Sequence, residues 1–153
     1  MRSARRLALP GALVACLVAL QPAAARAAAK PGAEFTELVR RPFSGDYDAM
    51  AKRHMVRILV VTSQTHYFVD KGTQRGIAYD FGKAFEDEVN AKRKEGEPRS
   101  EVVFVPVRRD DLLKDIVEGK GDIAIANLTI TPERQKFADF SVPVLTDVKE
   151  IVV

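Results

Sequence analysis

The sequence predicts an α/β fold: an open, mostly parallel sheet with helices on both faces. Three observations carry this. Strand-like and helix-like segments alternate as β-α-β-α-β-α-β, joined by short connections. The first strand-like run, Val56 to about Ser63, is apolar on both faces for most of its length, as in parallel sheets covered on two sides. In the segment that starts at Ile77, Ala78, Phe81, Phe85 and Val89 fall at helical spacing on one side, with Glu86, Asp87, Lys92 and Arg93 elsewhere.

The elements follow in order. Residues 1–29 read as an export signal, with the cationic start "MRSARR", the apolar run "LALPGALVACLVAL" and the small-residue tract "AAARAAA". The apolar run is short for a membrane span. Cleavage is expected after Ala27 or Ala29. A second reading stays open, because "LVAC" at Leu13 to Cys16 resembles a lipoprotein box in which Cys16 carries lipid. Either way the chain is expected to be exported, and a lipid on Cys16 is the one membrane anchor anticipated.

Residues 30–55 form a lead-in, irregular around Pro31, Gly32, Pro42 and Gly45, with a short helix "YDAMAKRH" that Asp46 caps. After the first strand, Gln64 to Gly76 reads as a polar loop with two aromatics, and the helix from Ile77 runs to about Lys94. "EGEPRS" is a turn, and Glu101 to Val107 a second strand. "RRDDLLKDIVEG" is a second helix, with Asp110 at the N-cap, Asp111 in the first turn and Gly119 just past the end. "GDIAIANLTI" is a third strand, "PERQKFADF" a short third helix, and "KEIVV" the start of a further strand.

The formal charge of +3 belongs to the leader. The first 29 residues hold Arg2, Arg5, Arg6 and Arg26 and no acid, and the rest carries 20 basic and 21 acidic residues, a net charge of −1. No nucleic-acid partner is expected from that balance. Cys16 is the single cysteine, so a cleaved chain has no disulfide, thiolate nucleophile or cysteine metal site. His54 and His66 lack a third ligand nearby, so no metal is expected. "EGKGD" at Glu118 to Asp122 is too short for a phosphate loop. No cofactor is expected.

Ligands of open α/β sheets bind beyond the carboxyl ends of the strands. Three segments meet there: Thr62 to Phe68, Val107 to Asp110, and Asn127 to Arg134. The last combines Thr129 at a strand end, Thr131 and Pro132 as helix-start residues, and Arg134 at the third helical position. A helix N-terminus with an arginine fork suits a carboxylate. Position alone also allows Arg134 to pair with Glu133, Asp139 or solvent. Arg108 and Arg109 read as a solvated pair or as a rim contact to an anion, and Asp110 and Asp111 as helix-start acids. Phe81 and Phe85 are expected in the core.

"GDIAIANLTITPERQKFADFSVPV" is similar to the lobe-crossing signature of the bacterial extracellular solute-binding proteins of family 3. Upstream, "GIAYDFGKAF" and "LLKDIVEGKGDIAIA" resemble that family's first helix and its second helix with the third strand. The resemblance runs from about Val56 to Val153. It implies the first lobe of a type 2 periplasmic-binding fold over residues 56–148, residues 149–153 as the start of a crossover strand, and a small amino-acid-like ligand. It also implies roles: Arg134 for the ligand's α-carboxylate, Thr129 for the same group, the backbone at Asn127 for the amine, and Tyr67 or Phe68 as a pocket wall. An ABC permease is the implied partner. Two departures stand out. Asn127 replaces a small residue, and Ala78 replaces an acid.

"GDYDAMAKRHMVRILVVTSQTHYFVDKGTQRGIAYDFGKAFE" also resembles the N-terminal binding module of lytic murein transglycosylase F-like proteins. Their catalytic Glu-Ser helix has no counterpart here, because Glu150 precedes Ile151. The expectation is therefore a non-catalytic module, either for uptake or sensing of a carboxylate-bearing solute or for peptidoglycan-derived peptides. Complete members close two lobes around a ligand. A single lobe is expected to bind weakly, since half of the desolvating pocket is missing.

Overall fold

In the computed structural model, the structure describes residues 32–147. The leader, Cys16 and the strand expected at 149–153 lie outside the described residues. A three-stranded parallel sheet forms from β1 (Met55–Val61), β4 (Glu101–Val107) and β5 (Ile123–Ile125), in the order β4-β1-β5. Every residue of β1 pairs with β4, from Met55 opposite Glu101 to Val61 opposite Val107. On the other side, Ile58 to Val60 pair with Ile123 to Ile125. Pro106 sits in the edge strand β4, where its missing N–H breaks no second ladder.

The chain steps from β1 to one side and then crosses back to the other. Right-handed crossovers that reverse direction place their helices on opposite faces. Those helices are α3 (Ile77–Ala91) and α4 (Leu112–Val117). The two-residue alternation of β1 serves both faces. Val56, Ile58 and Val60 join Tyr67 and Ala78 in one cluster, against which Phe85, Phe104, Ile123 and Ile125 pack. The odd residues face the other way, with Leu59 fully buried against Gly121.

Helix α3 corrects the expected apolar stripe. Ala78 and Gly82 are its buried residues, and Phe81 is 55% exposed rather than in the core. The helix approaches the sheet at Gly82, where an added Cβ would lie 2.5 Å from the Phe104 ring and 3.2 Å from Ile58 Cδ1. That ring is wedged between Tyr67 and Tyr79, with centroids at 5.6 and 5.2 Å. Gly82→Ala should therefore destabilise by about 1–3 kcal/mol, overriding the roughly 1 kcal/mol that alanine gains in a helix. Urea unfolding checks this, and a variant at least as stable as wild type would refute the close approach.

Arg57, on the α4 face of β1, is fully buried. Its Nη2 donates to Asp122 Oδ1 at 2.9 Å and to the Gly119 carbonyl at 2.8 Å, and its Nη1 donates to the carbonyls of Val39 (3.1 Å) and Arg41 (2.8 Å). Arg53 also pairs with Asp122 and lies over the Phe43 ring at 4.0 Å. This network clasps the lead-in to the amino end of the sheet.

The lead-in itself differs from expectation. Ala33–Arg40 forms a helix, α1, where an irregular segment is expected. Pro31 and Pro42 bracket ten residues that include helix formers, and the Thr36 hydroxyl donates to the Gly32 carbonyl at 2.9 Å. Helix α2 (Tyr47–Arg53) is capped as expected, with Asp46 Oδ1 accepting from Ala49 N at 3.0 Å.

Candidate functional site

The carboxyl ends of β1 and β5 define the crevice where strand order reverses, the place where open α/β sheets take ligands. A cavity of about 60 Å³ lies there, lined by Val61, Ser63, His66, Arg109, Ala126 and Asn127. Beside it a wide cleft of about 480 Å³ opens between the ends of β1 and β4, lined by Val61, Thr62, Pro106, Val107, Arg108, Arg109 and Asp110. Arg109 and Val61 border both.

The loop after β1 is more ordered than a polar loop implies. Ser63 N donates to the Tyr67 carbonyl at 3.0 Å, and His66 N donates to Ser63 Oγ at 2.9 Å. His66 Nδ1 lies 3.2 Å from Ser63 Oγ and 3.1 Å from Thr65 Oγ1. A hairpin of β2 (Phe68–Asp70) and β3 (Thr73–Arg75) replaces the rest of the expected loop. Its two turn residues, Lys71 (φ 48°) and Gly72 (φ 84°), both take positive φ, as a tight hairpin turn requires. Gly76 then starts α3 at φ 114°, with the His66 carbonyl 2.4 Å from where a Cβ would stand.

This order moves the two aromatics away from the simplest pocket wall. Tyr67 is 5% exposed, packs in the core, and donates its hydroxyl to Gln74 Oε1 at 2.8 Å. Burial, with a smaller contribution from Tyr79, pushes its phenol above the ordinary tyrosine range. Phe68 is half-buried in β2, opposite Arg75. Neither residue lines either cavity.

Helix α4 starts later than expected. A turn closes first, with Asp111 N donating to the Arg108 carbonyl at 3.1 Å. Asp111, not Asp110, occupies the N-cap position, and its side chain caps nothing. Gly119 follows the helix end at φ 69°, as a left-handed residue past the C-cap.

The segment after β5 departs most from the sequence expectation. The strand covers three residues, not ten, and the chain turns away as Leu128 N donates to the Ala126 carbonyl at 2.9 Å. The expected third helix is one 3-10 turn, Arg134–Lys136. Its N-cap position falls on Glu133, not on Thr131 as expected, and Thr131 Oγ1 accepts from Arg134 N at 3.3 Å from two residues further back. Phe137 is 63% exposed, and without an apolar surface to pack on, a single turn does not propagate. The helix-dipole contribution of such a single turn to an anion is small.

Two guanidinium groups are pinned to this segment. Arg134 Nη1 donates to the Thr129 carbonyl at 2.7 Å, and Arg109 Nη2 donates to the Asn127 carbonyl at 2.7 Å. The alternative pairing of Arg134 with Glu133 or Asp139 does not occur among the described residues. Arg109 is the residue that sequence reasoning underweighted. Its signal was the Arg-Arg pair at a strand end, which spacing alone does not distinguish from a solvated pair. Arg108 is that solvated residue, 3.9 Å from Asp110 and 3.7 Å from Asp111. No group of three or more potential metal ligands occurs among the described residues, and none of their helices is long and apolar enough to cross a membrane.

Residues 58–153 match the family model described as bacterial extracellular solute-binding proteins, family 3. Among curated proteins, the chain is 29% identical over 89 residues to membrane-bound lytic murein transglycosylase F of Desulfosudis oleivorans, covering 58% of this chain and 18% of the relative. It is 30% identical over 83 residues to cyclohexadienyl dehydratase of Pseudomonas aeruginosa, covering 54% of this chain and 28% of the relative. Among solved structures, it is similar to an ancestral cationic amino acid solute-binding protein, AncCDT-1, at 33% identity and a TM-score of 0.52, covering 61% of this chain and 38% of that one. It is also similar to domain 1 of the arginine-bound form of TmArgBP, at 25% identity and a TM-score of 0.53, covering 64% of this chain and 70% of that one. The chain thus spans less than a third of the curated relatives it matches.

Proposed function

Because the chain belongs to the bacterial extracellular solute-binding proteins of family 3, we propose that it is a non-catalytic binding module for a small, amino-acid-like solute, with Arg134 as the carboxylate receptor. The observation that carries this is the anchoring of Arg134 to the Thr129 carbonyl in the segment that leaves the end of β5. One N–H holds the guanidinium in place, and its other donors remain for a ligand. Thr129 and the backbone at Asn127 complete the reading as contacts to the carboxylate and the amine, and Phe68 as a more distant wall. Tyr67 serves as support beneath the loop. Export to the periplasm, for uptake through an ABC permease or for sensing, fits this family.

A second reading has a specific observation behind it, the likeness to membrane-bound lytic murein transglycosylase F. The module then serves a murein-degrading enzyme and takes peptidoglycan-derived peptides, with catalysis located in a separate domain.

The test is a titration of the ¹⁵N-labelled chain with L-alanine and with ethylamine at constant ionic strength. The amino acid is expected to shift resonances of residues 127–134 with a dissociation constant of about 1 mM or weaker, and the amine to shift none. Arg134→Gln should weaken alanine binding by roughly tenfold, the loss of one charge-assisted hydrogen-bonded contact. Unchanged affinity in that variant would remove Arg134 from the site.

A further inference from the structure

We propose that Arg109 is a specificity-determining residue of this site and that the preferred solute carries a second anionic group, as a dicarboxylic amino acid does. This rests on the carboxylate reading of Arg134. The carbonyls that hold Arg109 and Arg134 belong to Asn127 and Thr129, with only Leu128 between them. Two residues of chain span at most about 7 Å, so the two anchor points are close. A carbonyl fixes a guanidinium without cancelling its charge. Neither arginine has a carboxylate at ion-pair distance among the described residues, whereas neighbouring Arg108 has two.

The cavity that Arg109 borders reinforces this. Its lining of Val61, Ser63, His66, Arg109, Ala126 and Asn127 contains a cation and no acid. The acid nearest in sequence, Asp110, lines the adjoining cleft and lies toward Arg108. With their anchor carbonyls two residues apart, one ligand with two anionic groups has a guanidinium for each. The arginine fork also matches a carboxylate in a way that an amide does not. Glutamate and glutamine differ by that one group at nearly equal size, so the pair isolates it.

The experiment titrates the ¹⁵N-labelled chain with L-glutamate and L-glutamine at matched ionic strength, in wild type, Arg109→Gln and Arg134→Gln. Wild type is expected to prefer glutamate by roughly tenfold. Arg109→Gln should bring the ratio of glutamate to glutamine affinity close to one, while Arg134→Gln weakens both ligands alike. Equal affinities in wild type, or a glutamate preference that survives Arg109→Gln, would overturn the role of Arg109 and leave the carboxylate reading standing. Binding unaffected by Arg134→Gln, or no response to either amino acid, would overturn both.

Discussion

Asp122→Ala is expected to cost about 3–5 kcal/mol of folding stability, the penalty for leaving one member of a buried ion pair unmatched. The side chains of Arg57 and Asp122 are 0% and 2% exposed. Asp122 Oδ2 also accepts from Arg57 N at 2.7 Å and from Arg57 Nε at 3.2 Å. Removing the carboxylate leaves the guanidinium buried among the carbonyls of Val39, Arg41 and Gly119, which are polar but neutral. The predicted loss is a large share of the stability of a small domain, so the variant should unfold far earlier in urea. A loss below about 1 kcal/mol would show that water reaches the pair. Replacing both partners, with Arg57→Met and Asp122→Leu, should recover part of the loss in the sheet. It should not recover the docking of α1, whose Val39 carbonyl would lose its donor. Increased protease cleavage between residues 33 and 45 in the double variant is the expected signature.

The second large effect is at Gly76. Its backbone, at φ 114° and ψ 167°, lies in a region that essentially only glycine occupies. In Gly76→Ala the new Cβ would meet the His66 carbonyl oxygen at 2.4 Å and its carbon at 2.7 Å, and neither can swing aside as a side chain does. The backbone conformation alone costs about 1–3 kcal/mol, and the contact adds to it. Relief requires moving the 63–67 loop, because Thr65 and His66 carbonyls accept from Ile77 N and Ala78 N at 3.1 and 2.9 Å. The variant is therefore expected to lower Tm and to shift the resonances of Ser63 and His66, which line the small cavity. A Tm equal to that of wild type would show that the loop yields freely.

The expected sheet and its parallel strands were legible because Ile58 to Val61 in β1 and Val102 to Val105 in β4 are unbroken apolar runs, the pattern of strands in a parallel sheet covered on its faces. The α2 cap was legible because Asp46 acts three residues away, within one turn. The hairpin was hidden, since strands of three mostly exposed residues show no apolar alternation. Lys71-Gly72 was its one local trace. Phe81 was expected in the core and is exposed, while Gly82 is buried, for a similar reason. Periodicity marks which side of a helix is apolar, while the spot of closest approach depends on the Phe104 ring opposite.

The sequence by itself determined the fold class, the family and the three segments that converge at the strand ends, because each rests on local pattern or motif order. Tertiary structure alone decided the charges. Arg57 stands in an apolar strand, and only the approach of Asp122, 65 residues later, makes its burial possible. Arg109 looks like its neighbour Arg108 in the chain, yet one is pinned to the Asn127 carbonyl at the crevice and the other is held by acids in solvent. Charge acts through space and falls off with separation and dielectric, and neither quantity is written in residue order.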